Sequence, residues 1–171
     1  DTRSPMHYIA EIAKKKYPDS VTVFIGPCLA KRREGFSDEF VDYVISVEEL
    51  NAFFIAKEIV PESLQAEPKT KKATPYGRNF AKSGGVAEAV KVRLEDPSIM
   101  KLDVINGLDK NGMKKLKHYG DINVGKAEPD ETTGNLVEVM ACEGGCIAGP
   151  CVITNPKKAE VLLKKYVNEA K

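Results

Sequence analysis

No apolar run in this 171-residue sequence approaches the roughly 18 residues that a membrane-spanning helix needs. Nor is there a positively charged, apolar leader of the secretory type at its start. Charge of one sign is missing too. Lys and Arg number 26 and Asp and Glu 25, a net of +1, which excludes a general attraction to nucleic acid or to an anionic membrane. The four cysteines are too few for the disulfide framework of a small secreted domain. Histidine is scarcer still. His7 lies beside an apolar helical stripe and His118 near a helix end, and neither sits in a metal or nucleophile motif, so both read as structural or solvated. No internal repeat is visible. The chain opens at Asp1 without an initiator Met and reads as one domain, residues 1–171, cut from a longer protein.

What is present is an alternation of strand and helix signals. Ser4 and Pro5 form a helix start, and Met6, Ile9, Ala10, Ala13 and Tyr17 follow at helical spacing as a buried stripe. Val21 to Ile25 is a short, β-branched, nearly unbroken apolar run, the pattern of a strand covered on both faces and hence parallel. Val41 to Ile45 is a second strand. Ser46-Val47-Glu48-Glu49 is a capping box, with Leu50, Phe53, Phe54 and Ile59 on the helix it opens. Residues 61–82, broken by Pro61, Pro68 and Pro75 and carrying Lys69, Lys71 and Lys72, read as a long surface loop with a solvated charge run. Ser83-Gly84-Gly85 opens a helix to about Leu94. Val104 to Gly107 is a third strand, followed by a helix around 110–118, and Leu136 to Ala141 is a fourth strand. Asn155 and Pro156 start a last helix with Ala159, Leu162, Leu163 and Tyr166 on its buried face. The expected class is α/β, a mostly parallel sheet flanked by helices.

Ligands of such sheets gather at the strand C-termini, and the cysteines are there. Cys28 follows the first strand. Cys142 and Cys146 follow the fourth, separated by a Gly144-Gly145 pair that lets the backbone curl with positive φ and turn its N–H groups to one side. Thiolates so placed suit a metal or an iron–sulfur cluster in a reducing cytoplasm. If one sheet carries all four strands, the three thiols share one edge. Lys31 stands three residues past Cys28, where its ammonium favours a thiolate or an anionic ligand, and Glu34 three further on is placed to pair with Lys31 or Arg33. A buried Cys beside a solvated basic run accounts for the same residues.

Together these motifs resemble the C-terminal catalytic domain of the iron-only (FeFe) hydrogenases. The family's Met-Pro-Cys-x-x-Lys-x-x-Glu is matched by Pro27, Cys28, Lys31 and Glu34. Its Phe-Gly-Ala-Thr-Gly-Gly-Val resembles Phe80 to Val86. Its last motif, Glu-Val-Met-Ala-Cys-x-Gly-Gly-Cys-x-x-Gly, is matched by Glu138 to Cys142, Gly144 to Cys146 and Gly149. The resemblance implies an H-cluster: Cys28, Cys142 and Cys146 ligate its 4Fe-4S part, with Cys146 bridging to the two-iron subsite, and the fourth ligand lies upstream of Asp1. It implies that Lys31 hydrogen-bonds an iron-bound cyanide as the residue nearest the catalysis. Pro5, Pro27, Phe80 and Met140 line the pocket beside Lys31 and Glu34. It also implies reversible proton reduction, with ferredoxin or attached ferredoxin-like domains as electron donors.

Three departures from the family pattern stand out. Gly26 replaces the Met before Pro-Cys, Met6 replaces the Gln after Ser-Pro, and Pro150-Cys151-Val152-Ile153 replaces a Gly-Gly-Gln-Pro tail. They favour cluster binding over fast turnover and keep open a sensory or regulatory relative that binds a cluster. A structural zinc site from Cys28, Cys142, Cys146 and Cys151 is the third alternative. Cys151 itself reads either as a small buried residue or as a spare thiolate near the cluster, able to pair with Cys146 in its absence.

Overall fold

The computed structural model describes residues 3–65 and 73–170. The chain divides into two compact units, Asp1–Glu67 with Gly149–Ile153, and Pro68–Ala148 with Thr154–Lys171.

In the first unit, helix α1 (Pro5–Lys16) begins as the sequence dictates. The Ser4 hydroxyl accepts from the His7 amide, Pro5 occupies the first helical position, and Lys14, Lys15 and Lys16 sit at the negative end of the helix dipole. Strands β1 (Val23–Gly26) and β2 (Tyr43–Ser46) pair in parallel, Val23 opposite Tyr43 through Gly26 opposite Ser46. A parallel pair needs a crossover, and α2 (Leu29–Phe36) supplies it. Gly35 lets α2 lie close on β2, because a Cβ there would meet the Val44 side chain at 2.5 Å. The capping box is formed in full at α3 (Val47–Ala56): the Glu49 amide donates to Ser46 Oγ and the Ser46 amide to the Glu49 carboxylate. Met6, Ala10 and Val41 make the core, with Phe24, Phe40 and Val44 packed against it. His7 is structural, as expected. Its Nδ1 lies 2.7 Å from Asp38 Oδ2, and the rings of Tyr8 and Phe40 meet it edge-on.

The second unit repeats the plan. Strands β3 (Leu102–Asn106) and β4 (Leu136–Met140) are parallel, Leu102 opposite Leu136 through Asn106 opposite Met140, and the crossover contains α6 (Lys110–Asn123). Asp109 caps α6 by accepting from the Gly112 amide at 2.7 Å. Tyr119 of α6 donates to Asp103 of β3 and accepts from the Gly134 amide, tying helix, strand and loop together. Helices α4 (Pro75–Arg78), α5 (Gly85–Lys91) and α7 (Pro156–Asn168) complete the unit. Asn155 and Pro156 start α7 as read from the sequence. Arg78 stacks its guanidinium 4.0 Å from the centre of the Tyr166 ring.

The α/β class holds, but the strands form two parallel pairs rather than one sheet. An apolar run reports how much of a strand is covered, not which strand it hydrogen-bonds. Coverage is also narrower than the patterns imply. Val23 and Ile25 are 48% and 46% exposed, and the α1 stripe buries Met6 and Ala10 but leaves Ile9 and Tyr17 outside. The loop expected over 61–82 contains α4 and a 3-10 turn, Asn79–Ala81, because Thr74 and Pro75 form a helix start in which Thr74 Oγ1 accepts from the Gly77 amide. Lys69, Lys71 and Lys72 lie outside the described residues. Helix α6 runs on to Asn123, carrying Gly120 at a site where no atom crowds it, so His118 sits within the helix.

Asp42 accepts from Lys14 Nζ, the Thr22 amide and the Thr22 hydroxyl. The Lys14 bond first, then Thr22, hold its carboxyl at about 2 against an ordinary 3.8. Asp130 is likewise held at about 2, by Thr132 and then Thr133. A carboxylate whose folded pKa is depressed contributes stability that is complete above its unfolded pKa and is lost as pH falls through the folded one. Thermal stability is therefore expected to be flat from about pH 7 to 5 and to fall between about pH 4 and 2. Asp42→Asn should lower the neutral-pH plateau and shrink that acid slope; a melting temperature that varies with pH as in the parent would remove Asp42 from the account.

Candidate metal centre

In the first unit Cys28 is the N-cap residue of α2, two positions past the end of β1. Its carbonyl accepts from the Lys31 amide at 3.2 Å, while its thiol makes no capping bond and stays half-buried. One turn on, Lys31 Nζ donates to Glu34 Oε2 at 2.5 Å. The Ser4 hydroxyl donates to the other oxygen of the same carboxylate. Burial pushes Glu34 up, but the bonds from Lys31 and Ser4 outweigh it and hold the carboxyl below its usual range. Of the two partners weighed for Glu34, the structure selects Lys31. Pro27 is half-buried beside Cys28, whereas Pro5 is exposed at the start of α1.

In the second unit the β3–β4 ladder continues past the strands, the Gly107 amide donating to Met140 O at 2.9 Å and the Leu108 amide to Ala141 O at 3.3 Å. The chain then curls. The Gly145 amide returns to Cys142 O at 3.0 Å, and Gly144 and Gly145 both adopt φ 87°, a conformation other residues adopt only at a cost. The curl is fastened from outside. The Gly144 amide donates to Asn106 Oδ1 at 2.8 Å, and the Gly144 carbonyl accepts from the Ser83 amide at 3.3 Å. Cys146 then opens a 3-10 turn, Cys146–Ala148. Cys142 and Cys146 are both half-buried. Met140 and Phe80 are half-buried in the same unit, on β4 and on the 3-10 turn before Ser83.

Beside this curl is an open cleft of about 660 Å³ lined by Lys82, Ser83, Asn106, Glu143, Gly144 and Ile147, among others. The Ser83 hydroxyl on its wall is buried and has no hydrogen-bond partner among the described residues, so a donor there is available to a buried acceptor. No three His, Cys, Asp or Glu side chains among the described residues are close enough to hold one metal ion. Within the second unit, two half-buried thiols flanking a curled glycine turn fit thiolate ligands of an iron–sulfur group in chemistry and in burial.

The profile of the family described as iron only hydrogenase large subunit, C-terminal domain, matches residues 1–150. The chain belongs to that family. Iron hydrogenase 1 of Clostridium pasteurianum is 27% identical over 209 aligned residues, which take in 92% of this chain and 34% of that protein. The chain thus spans about a third of the length of this relative. No helix of the described residues is long and apolar enough to cross a membrane.

Two residues, Glu138 of the last motif and Asn106 at the end of β3, have roles that sequence reading left blank. Glu138, pointing from β4, accepts from the Gly84 and Ala87 amides, each at 2.7 Å, and so caps α5, whose N-cap residue is a glycine with no side chain to do it. Asn106 fastens the cysteine turn. The available signals were an acid inside an apolar strand and an Asn-Gly pair at a strand end. Met6, one of the departures from the family pattern, is a core residue at 2% exposure.

Proposed function

We propose that this chain supplies Cys28, Cys142 and Cys146 as ligands of the 4Fe-4S part of an H-cluster. The parent protein would be an FeFe hydrogenase that reversibly reduces protons to hydrogen with ferredoxin-like electron donors in the cytoplasm. The observation that carries the reading is the Cys142–Cys146 curl, with two glycines at φ 87° and both flanking thiols half-buried at the C-terminal end of a parallel strand. When bound, the H-cluster supplies the proton and hydrogen redox chemistry. The chain's residues hold and orient. Lys31 has three N–H donors, one directed to Glu34, which leaves two for an iron-bound cyanide. Glu34, itself held by Ser4, keeps the ammonium from swinging into solvent. Pro5, Pro27, Phe80 and Met140 would line the two-iron subsite and keep water from it.

Lys31→Ala in the full-length protein tests this. The expected result is loss of most of the two-iron subsite, read as cyanide infrared bands and iron content, with the 4Fe-4S signal retained. Unchanged cyanide bands and unchanged hydrogen evolution would make Lys31 a surface charge.

A second reading, a sensory relative that keeps the cluster without fast turnover, is favoured by Gly26. It is buried, and a Cβ there would stand 2.7 Å from the Phe24 ring, so the residue before Pro27-Cys28 offers the pocket no side chain where the family has Met. Full iron content with negligible hydrogen evolution would select this reading.

A further inference from the structure

Cys151 belongs to the first unit, with Cys28, although it lies only five residues past Cys146. Its amide donates to the Pro27 carbonyl at 3.4 Å, and Pro27 directly precedes Cys28. Standard bond lengths then keep the Cα atoms of Cys28 and Cys151 within about 8 Å. That interval overlaps the separation of about 4.4–6.8 Å that a disulfide spans. Cys151 is 6% exposed, whereas Cys28 is half-buried with its thiol uninvolved in capping α2.

We propose that Cys28 and Cys151 are a peroxide-responsive thiol pair: when Cys28 carries no iron, the two close to a disulfide that withdraws Cys28 from metal binding. The pairing stands on the geometry alone; its effect on metal binding rests on the assignment of Cys28 as a ligand. The more accessible thiolate, Cys28, attacks a hydroperoxide. An S–O bond forms, the O–O bond breaks, the sulfur is oxidised by two electrons and the peroxide reduced. Cys151 then attacks the Cys28 sulfur, the S–S bond forms, and the departing hydroxide leaves as water with the Cys151 proton. In sum, two thiols and one hydrogen peroxide give one disulfide and two waters. Cys151 acts as resolving thiol and protects Cys28 from irreversible over-oxidation.

The test is to treat the full-length protein, purified free of iron, with equimolar hydrogen peroxide, block the remaining thiols, digest without reductant and map the peptides by mass. The expected main product is a Cys28–Cys151 linked peptide, lighter by two hydrogens than its reduced halves. A dominant Cys142–Cys146 or Cys146–Cys151 link, or sulfinic acid at Cys28 in the parent protein, would overturn the pairing, and neither result depends on a variant folding. In a second arm, the oxidised protein is given ferrous iron and sulfide. Uptake is expected to fall severalfold and to return with dithiothreitol. In Cys151→Ala given excess hydrogen peroxide the loss should persist after dithiothreitol, because a second peroxide oxidises the unresolved Cys28 sulfenic acid to sulfinic acid, past the reversible stage. A linked peptide with undiminished iron uptake would leave the pair standing and overturn Cys28 as a ligand.

Discussion

Cys142→Ser in the full-length protein is expected to lower the retained cluster iron by more than the roughly tenfold to hundredfold that outer-shell changes cost at metal sites. A serine hydroxyl is not ionised near neutral pH, so a ligand is lost while the volume of the side chain is nearly kept. The fold should survive. Cys142 is only half-buried, and the turn at this position is held by the Cys142 carbonyl and by Asn106, neither of which changes. Iron and acid-labile sulfide per chain are the measurements, with circular dichroism to verify the fold. Cys151→Ser is the control and should keep its iron under anaerobic reconstitution. A Cys142→Ser protein with full iron and sulfide would sink the ligand assignment.

A second large effect separates the two glycines of the same turn. At Gly145 an added Cβ would lie 2.5 Å from the Ser83 amide nitrogen and 2.8 Å from the Ala81 carbonyl oxygen, both backbone atoms that cannot rotate away. At Gly144 it would meet only the Ala148 methyl at 3.5 Å, an ordinary contact. Both residues have φ 87°, so both alanines carry the left-handed strain of about 1–2 kcal/mol. Gly145→Ala adds the clash and is expected to cost about 3 kcal/mol or more, within the range of severe single substitutions. Gly144→Ala should cost about 1–2 kcal/mol. Urea unfolding midpoints of the two variants measure the difference. Equal losses would mean that strain alone, not the approach of the Ser83 segment, requires the glycines.

Much of the architecture is legible in the residues because its signals are local. Ser4-Pro5, Asn155-Pro156 and the Ser46–Glu49 box start helices where their chemistry says they should, since a cap and its partner amide lie within three residues of each other. Thr74-Pro75 carries the same signal and is masked by the surrounding prolines and lysines of the apparent loop. Strand positions shifted by no more than about two residues, within the ordinary uncertainty of element boundaries. What the residues misstate is coverage. Val23, Ile25, Tyr17 and Phe53 belong to apolar patterns, yet are about half exposed, because a pattern shows which face is apolar and not whether another element lies on it.

For the site, sequence determined the residue chemistry: thiols at strand ends, a Gly-Gly pair between two of them, and a lysine one turn past the third, features that depend only on spacing along the chain. Tertiary structure decided the partners. It gave Lys31 to Glu34 and Glu34 to Ser4, fastened the cysteine turn to Asn106 and Ser83, set Glu138 on the start of α5 and hooked Cys151 to Pro27. Apart from the short Lys31–Glu34 step, these partners are 30 or more residues apart in sequence. Hydrogen bonds over such distances follow from how strands pair and helices pack, and no spacing along the chain encodes them.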